Sequence, residues 1–340
     1  MSIQTVRIEV LEGFDDPRCG PAVWNALVAR GGTDAIFLTW EWQKAWWDSF
    51  ERRGLLLLGA ERDGELIAIA PFFAEEGMIY FVGSGGSDYL DFVGGISVPE
   101  VLDGLLRCAR NSVPDFLGFR FFHLPDQSPT AALLRASAVR LGLVLREEGS
   151  QPAPATRLGV DAAADRALTQ KKSLLRHEAY FRRSGSLEVL HHSTAKEIEP
   201  HLDALFQQHI ARWSATPHPS LFLDARQQRF YRTLTQYASP AGWLRFTRIA
   251  ADGHPIAFHF GFVYIGSFMW YKPTFAIELA RHSPGEVLLR QLLLRAIEES
   301  AHTFDFGLGD EPFKQRFATH TQIVRDFGLY PAEAPIPATW

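Results

Sequence analysis

The sequence predicts an α+β protein of two similar halves, each a mixed, mostly antiparallel sheet flanked by helices. Three landmarks that recur in one order carry this prediction. The first is a hairpin: residues 54–73 (GLLLLGAERDGELIAIAPFF) and 242–262 (GWLRFTRIAADGHPIAFHFGF) each read as strand, Asp-Gly turn, strand. Asp63-Gly64 and Asp252-Gly253 lie 189 positions apart, as do Ile67-Ala68 and Ile256-Ala257. The second is a helix start, Ser97-Val98-Pro99-Glu100 against Ser283-Pro284-Gly285-Glu286, at an offset of 186. The third is a short aromatic strand, Phe119-Arg120-Phe121 against Phe304-Asp305-Phe306, at 185. Offsets this close argue for a tandem duplication.

Each element has a local reason. In the first half, Trp42, Trp46 and Phe50 fall on one face of a helix. Ile198, Leu202, Leu205, Phe206 and Trp213 do the same in the second. The Asp-Gly pairs supply the positive φ that a tight hairpin needs. At both later helix starts serine reads as the N-cap, the glutamate three residues on completes a capping box, and proline sits in the first turn. Residues 149–155 (GSQPAPA) are small and proline-rich, which suits a linker. The halves are therefore read as 1–150 and 151–340.

Composition narrows the functional classes. Of 340 residues, 43 are Phe, Trp or Tyr and 46% are hydrophobic, which gives ample core and excludes disorder and collagen-like repeats. A net charge of −5 argues against a protein coated by nucleic acid. Residues 1–10 lack a signal-peptide pattern, no run reaches a membrane span, and Cys19 and Cys108 stand far apart. A cytoplasmic setting is expected. There is no P-loop, G-x-S-x-G, H-E-x-x-H or C-x-x-C motif, and Gly83-Ser84-Gly85-Gly86 runs into Ser87-Asp88-Tyr89 rather than a helix. No metal is expected; the pair His191-His192 reads as surface.

Several motifs, in their joint order, give a family resemblance. They are Phe37-x-Thr39-x-Glu41-Trp42, Ala70-Pro71, Ser87-Asp88-Tyr89-Leu90-Asp91-Phe92, Ser283-Pro284-Gly285 and Phe304-Asp305-Phe306-Gly307-x-Gly309-x-x-x-x-Lys314. In this order they resemble the CelD/BcsL-like acetyltransferases of the GNAT superfamily, and more distantly the Fem-type peptidoglycan aminoacyltransferases. The resemblance implies two GNAT-like halves and acyl transfer from acetyl-CoA or another acyl-CoA to an amine or hydroxyl, in cell-envelope or polysaccharide chemistry. An aminoacyl-tRNA-dependent transferase and a non-catalytic scaffold of polysaccharide synthesis are the alternatives. The long helical arm of Fem-type enzymes has no counterpart here.

It also implies a site. The thioester would lie where the strand over 266–274 splays from the strand over 303–309, leaving unpaired backbone groups to hold a pantetheine arm and an oxyanion. The helix after Ser283 would meet the pyrophosphate with free N–H groups, through Ser283, Gly285, Glu286 and Val287. Typical members have a glycine-rich turn there, whereas this chain has Gly285 alone beside Pro284; the segment also reads as a plain helix cap. The first half has no glycine at Ser97–Glu100 and is expected to be a degenerate copy.

Individual side chains complete the expectation. Asp305 alternates with Phe304 and Phe306, so it projects from the opposite sheet face. Asp305 or Asp310 suits a general base and Lys314 an anion binder; helix capping by Asp310 with a salt bridge to Lys314 is the alternative. His259 is either a base facing a cleft or a packed strand residue. Tyr271 and Lys272 end a strand at the mouth of the wedge, Tyr271 as proton donor to the leaving thiolate and Lys272 as substrate contact. Asp88, Tyr89 and Asp91 either hold an acceptor or form a self-bonded turn. Arg176, in the basic run Lys171–Arg183, is read as a phosphate contact or as solvated surface.

Overall fold

Both Asp-Gly pairs turn as their residue types require. In the computed structural model, which describes residues 6–214 and 216–333, Asp63 and Gly64 have φ of 54° and 80°, and Asp252 and Gly253 have 49° and 80°. Two successive positive φ values match the right-handed twist of the flanking strands, so the hairpins close without splaying.

The chain separates into two compact units, Met1–Pro152 with Gln322–Trp340, and Ala153–Thr321. The first begins with β1 (Arg7–Val10), α1 (Pro21–Val28) and α2 (Trp40–Phe50). Its hairpin is β2 (Leu55–Arg62) and β3 (Glu65–Glu75), followed by β4 (Met78–Phe81), β5 (Val93–Gly94), α3 (Pro99–Ser112), β6 (Gly118–Pro125) and α4 (Thr130–Leu141). Strand β7 (Leu143–Arg157) leads into the second unit. Phe72, Phe81, Phe92, Phe119 and Phe121 interlock in the core of the first unit, with ring centroids as close as 4.8 Å.

The second unit opens with α5 (Ala162–Thr169), α6 (Lys172–Ser184), β8 (Leu187–His192), α7 (Ala195–Trp213) and α8 (Ala225–Ala238). The second hairpin, β9 (Leu244–Ala251) and β10 (His254–Tyr264), precedes β11 (Ser267–Phe275), α9 (Pro284–Glu298), β12 (Thr303–Asp305) and α10 (Pro312–Gln315). The last strand, β13 (His320–Pro331), returns to the first unit. Strand order in the second unit is β7-β12-β11-β10-β9-β8, antiparallel except for the parallel pair β11–β12. Val287, Leu288, Leu292 and Leu293 of α9 pack with Phe268, Trp270, Phe304 and Phe306 on one face of this sheet. Helix α7 covers the other face of β11.

Three expectations differ from the structure. Residues 149–155 form part of β7, not a linker: Ala153 and Ala155 are buried, and the Pro154 carbonyl accepts the Phe306 N–H at 3.0 Å. Small residues and proline have weak strand preference, but here tertiary pairing decides. The second half does not extend to residue 340, because β13 from Gln322 onward belongs with the first unit. Neither serine caps its helix as read. Helix α3 starts after Val98, and Ser283 holds a left-handed backbone (φ 56°) without a side-chain cap bond.

Candidate active site in the second unit

Strand β11 is the scaffold of the site. It pairs with β12 in parallel only over Ser267–Met269 against Thr303–Asp305, then runs on to Phe275 with β10 alone beside it among the described residues. A strand that loses one neighbour presents backbone N–H and C=O groups with unmet hydrogen bonds. The register breaks between Phe260 and Phe262, where β11 carries one extra residue. Such a bulge re-aims side chains. Gly261 is required here, since a Cβ would come within 2.4 Å of the Met269 carbonyl.

The register assigns faces to the side chains. Lys272 lies opposite Phe260 and Thr274 opposite Phe258. Phe260 packs edge-on against Tyr231 of α8, so this face is the one beneath α7 and α8. Tyr271 turns to it as well, its ring centroid 6.3 Å from Tyr231 and 5.8 Å from Phe262, with Lys272 Nζ 3.8 Å above it. Asp305, opposite Met269, alternates with the buried Phe304 and Phe306 and therefore shares that face. Its Oδ1 accepts the Gly307 N–H at 2.7 Å, which fixes the turn after β12. Asp305, Tyr271 and Lys272, singled out in the sequence, thus belong to one side of one sheet.

Other candidates are placed elsewhere. His259 is fully buried on the α9 face, its ring between Phe268 and Trp270, with Nε2 3.0 Å from the Met269 carbonyl. Burial holds its pKa down at about 3, so it faces no cleft and is neutral. Asp310 is exposed, and the salt bridge to Lys314 expected of it is made by Glu311 at 2.8 Å, which stands at the N-cap position of α10 without a side-chain cap bond. Lys314 is itself buried, its Nζ donating to the Leu308 carbonyl. The N-cap moves because proline occupies position 312 rather than 311.

The start of α9 already carries an anion. Ser283 offers its carbonyl to the N–H groups of Glu286 and Val287, Pro284 has no N–H, and Val287 is buried. The Glu286 carboxylate accepts from Arg316 at 3.0 Å and lies 3.6 Å from His177. Gly285 packs its backbone near Phe275, where a Cβ would sit 3.2 Å from the ring. A carboxylate in the first turn satisfies the helix dipole, so a phosphate arriving here would compete with Glu286. Arg176 is exposed on α6, its guanidinium 3.4 Å from His177.

In the first unit, Asp91 accepts hydrogen bonds at 2.6 Å from Thr33, Ser128 and Thr130 and at 2.8 Å from the Phe92 N–H. Burial raises its pKa against the pull of those donors. It is a structural clasp rather than a substrate ligand. Tyr89 is buried edge-on against Phe37, and Asp88, just before it in the chain, is half-buried. The strands β4 and β6 pair in parallel over three residues, as β11 and β12 do, but the space beyond is taken by the chain itself. Leu90 N–H donates to the His123 carbonyl at 3.1 Å, and His123 Nδ1–H donates to the Ser87 carbonyl at 2.7 Å.

Reading the sequence missed Arg212, Glu311 and Thr274. Arg212 carried a signal: Ile198, Leu202, Leu205 and His209 mark the buried stripe of α7, and 212 is its next position. A cation on a buried stripe is an anomaly worth explaining.

Comparisons with known proteins agree with this architecture. A family profile described as acetyltransferase (GNAT) domain matches residues 169–315. The crystal structure of FemX superposes with a TM-score of 0.63 at 12% identity, covering 91% of this chain and 95% of that one. A conserved protein of unknown function from Bacteroides thetaiotaomicron superposes at 0.61 and 14% identity, covering 92% and 98%. L-PGS from Bacillus licheniformis gives 0.54 and 14% identity over 81% and 83%. No curated protein matches the chain. The fold is α+β and GNAT-like, and the profile match falls within the second unit.

Proposed function

We propose that the chain is an acyltransferase of the CelD/BcsL-like kind that moves an acyl group, acetyl in the first instance, from acyl-CoA to an amine or hydroxyl. The acceptor belongs to cell-envelope or exopolysaccharide chemistry on this reading. The observation that carries it is the early separation of β11 from β12, which leaves the edge of β11 beyond Met269 without a second strand; on that stretch the Tyr271 N–H meets His259 Nε2 at 3.4 Å and the Pro273 carbonyl accepts from Arg212, so a thioester would have to share these groups. The acceptor attacks the thioester carbonyl, its proton passes to the Asp305 carboxylate, and CoA leaves as the thiol with a proton from Tyr271. Asp305, Tyr271 and Lys272 share the face on which this would occur.

The fit is uneven along the donor. The free strand edge suits a pantetheine arm, whereas Glu286 opposes a pyrophosphate at α9. That opposition, with the exposed basic residues Lys172, Arg176 and Arg183 of α6, supports a second reading, an aminoacyl-tRNA-dependent transferase. Calorimetry with acetyl-CoA and desulfo-CoA separates the two. Micromolar binding, with an Asp305→Asn variant that binds equally but turns over 10²- to 10⁴-fold more slowly, is the expected result. No binding at millimolar ligand, together with a salt-sensitive affinity for tRNA, would replace the first reading by the second.

A further inference from the structure

Helix α7 brings a cation onto β11 without an anion to meet it. Arg212 donates from Nη1 to the Pro273 carbonyl at 3.0 Å, and its guanidinium carbon lies 4.2 Å from the Phe275 ring centroid and 5.5 Å from Trp213. Among the described residues no carboxylate is within ion-pairing distance of it. Glu311, whose charge it feels, is engaged by Lys314. Other sheltered arginines of the protein are paired: Arg120 with Glu148, Arg245 with Glu299, Arg290 with Glu178. Removing a cation from water with no counter-charge is costly, and burial indeed pulls Arg212 below its ordinary pKa.

A second observation points to the same place. Thr274 is fully buried on the α7 face, yet its hydroxyl has no hydrogen-bond partner, and the indole N–H of Trp213 has none either. Buried polar groups are nearly always satisfied, so two unmet groups on the helix and strand that carry Arg212 and Lys272 call for a ligand. Lys272 lies on this face two residues from Thr274. His209 bonds through Nδ1 to the Ser220 hydroxyl at 2.8 Å and is held neutral by burial, with Lys272 and Arg212 adding to the effect.

We propose that the α7–β11 face of the second unit is a subsite for an oxyanion of the acceptor, a carboxylate or a phosphate, gripped by Arg212 and Lys272 with the Thr274 hydroxyl as a further donor. A planar guanidinium over an aromatic ring suits either anion. This rests on the acyltransferase reading, since Asp305 on the same face would then receive the proton of the acceptor amine or hydroxyl.

The test is titration of the full-length protein with inorganic phosphate and with succinate at low ionic strength. Wild type, Arg212→Gln, Lys272→Gln and, as a control on an exposed cation, Lys196→Gln are compared. One anion is expected to bind, at least tenfold more weakly in Arg212→Gln and in Lys272→Gln and equally in Lys196→Gln. Selective binding of phosphate assigns a phosphorylated acceptor, and selective binding of succinate a carboxylated one. Absence of binding, unchanged affinity in Arg212→Gln, or equal loss in Lys196→Gln would overturn the proposal. Acetyl-CoA is titrated separately. If it fails to bind while the Arg212-dependent anion site persists, the donor reading falls and the anion site stands. If acetyl-CoA displaces the anion, the site belongs to the donor's phosphates and the acceptor assignment is overturned.

Discussion

A histidine that alternates with phenylalanines along a strand has two faces open to it, and the packing of the whole sheet decides between them. His259 takes the α9 face, and His209 of α7 is likewise buried; each has its pKa depressed to about 3. Both are neutral in the fold, while an unfolded histidine titrates near 6.5. Stability is therefore complete above about pH 6.5 and falls as pH drops, because only the unfolded chain takes up the proton. The slope is about 1.4 kcal/mol per pH unit for each histidine, continuing towards the folded values. Urea unfolding between pH 6.5 and 4.5 should show it, and His259→Gln should remove one histidine's share; an unchanged slope would contradict the assignment. Alternation alone marked Asp305 as opposed to Phe304 and Phe306, and that much of the site was legible. It could not distinguish Asp310 from its neighbour Glu311, because a short loop has no periodicity. Nor could it see Asp91 as a clasp, since its donors Ser128 and Thr130 come from 37 and 39 residues away.

Elements were legible where their signals are local. The Asp-Gly hairpins and the apolar stripes of α2 and α7 needed only neighbours in sequence, and they formed as read. Helix caps were less so: the serine–glutamate spacing at 283–286 is present but Ser283 is left-handed, and the capping box that does form is Thr194 with Glu197. An N-cap side chain needs an extended backbone at its own residue, and the turn over 277–282 imposes another. Glu286 is thereby left to serve the first turn of α9 as an anion held by Arg316. Glu286→Gln keeps its size and removes the charge that a donor phosphate would have to oppose. Affinity for desulfo-CoA should rise roughly two- to tenfold, as expected for one charge at a helix terminus. A fall in affinity would make Glu286 a direct donor ligand, the role its position in the motif first suggested.

At the scale of the molecule, the repeated order of hairpin, strand, helix and strand was readable but the ending of the second half was not. Strand β13 pairs with β6, matching Val324 with Pro125 and Leu329 with Phe119, partners about 200 residues apart that no window along the chain connects. Its Tyr330 is held tightly in the first unit. The hydroxyl donates to Glu148 and receives Arg120 Nε at 3.2 Å, and burial with the Glu148 charge raises its pKa to about 12. Gly118 has no side chain because a Cβ would come within 2.5 Å of the Tyr330 ring. A chain ending at Thr321 would therefore expose the β6 edge and deprive the buried Arg120 of its Tyr330 partner. Hydrogen exchange on that truncation should show loss of protection in 118–125, because those amides lose their strand partner. Among the described residues the hairpin 244–264 pairs within the second unit, with β8 and β11, and should keep its protection. Equal loss in both stretches would mean that the units fold as one cooperative body, and equal retention would mean that β13 adds nothing to the first.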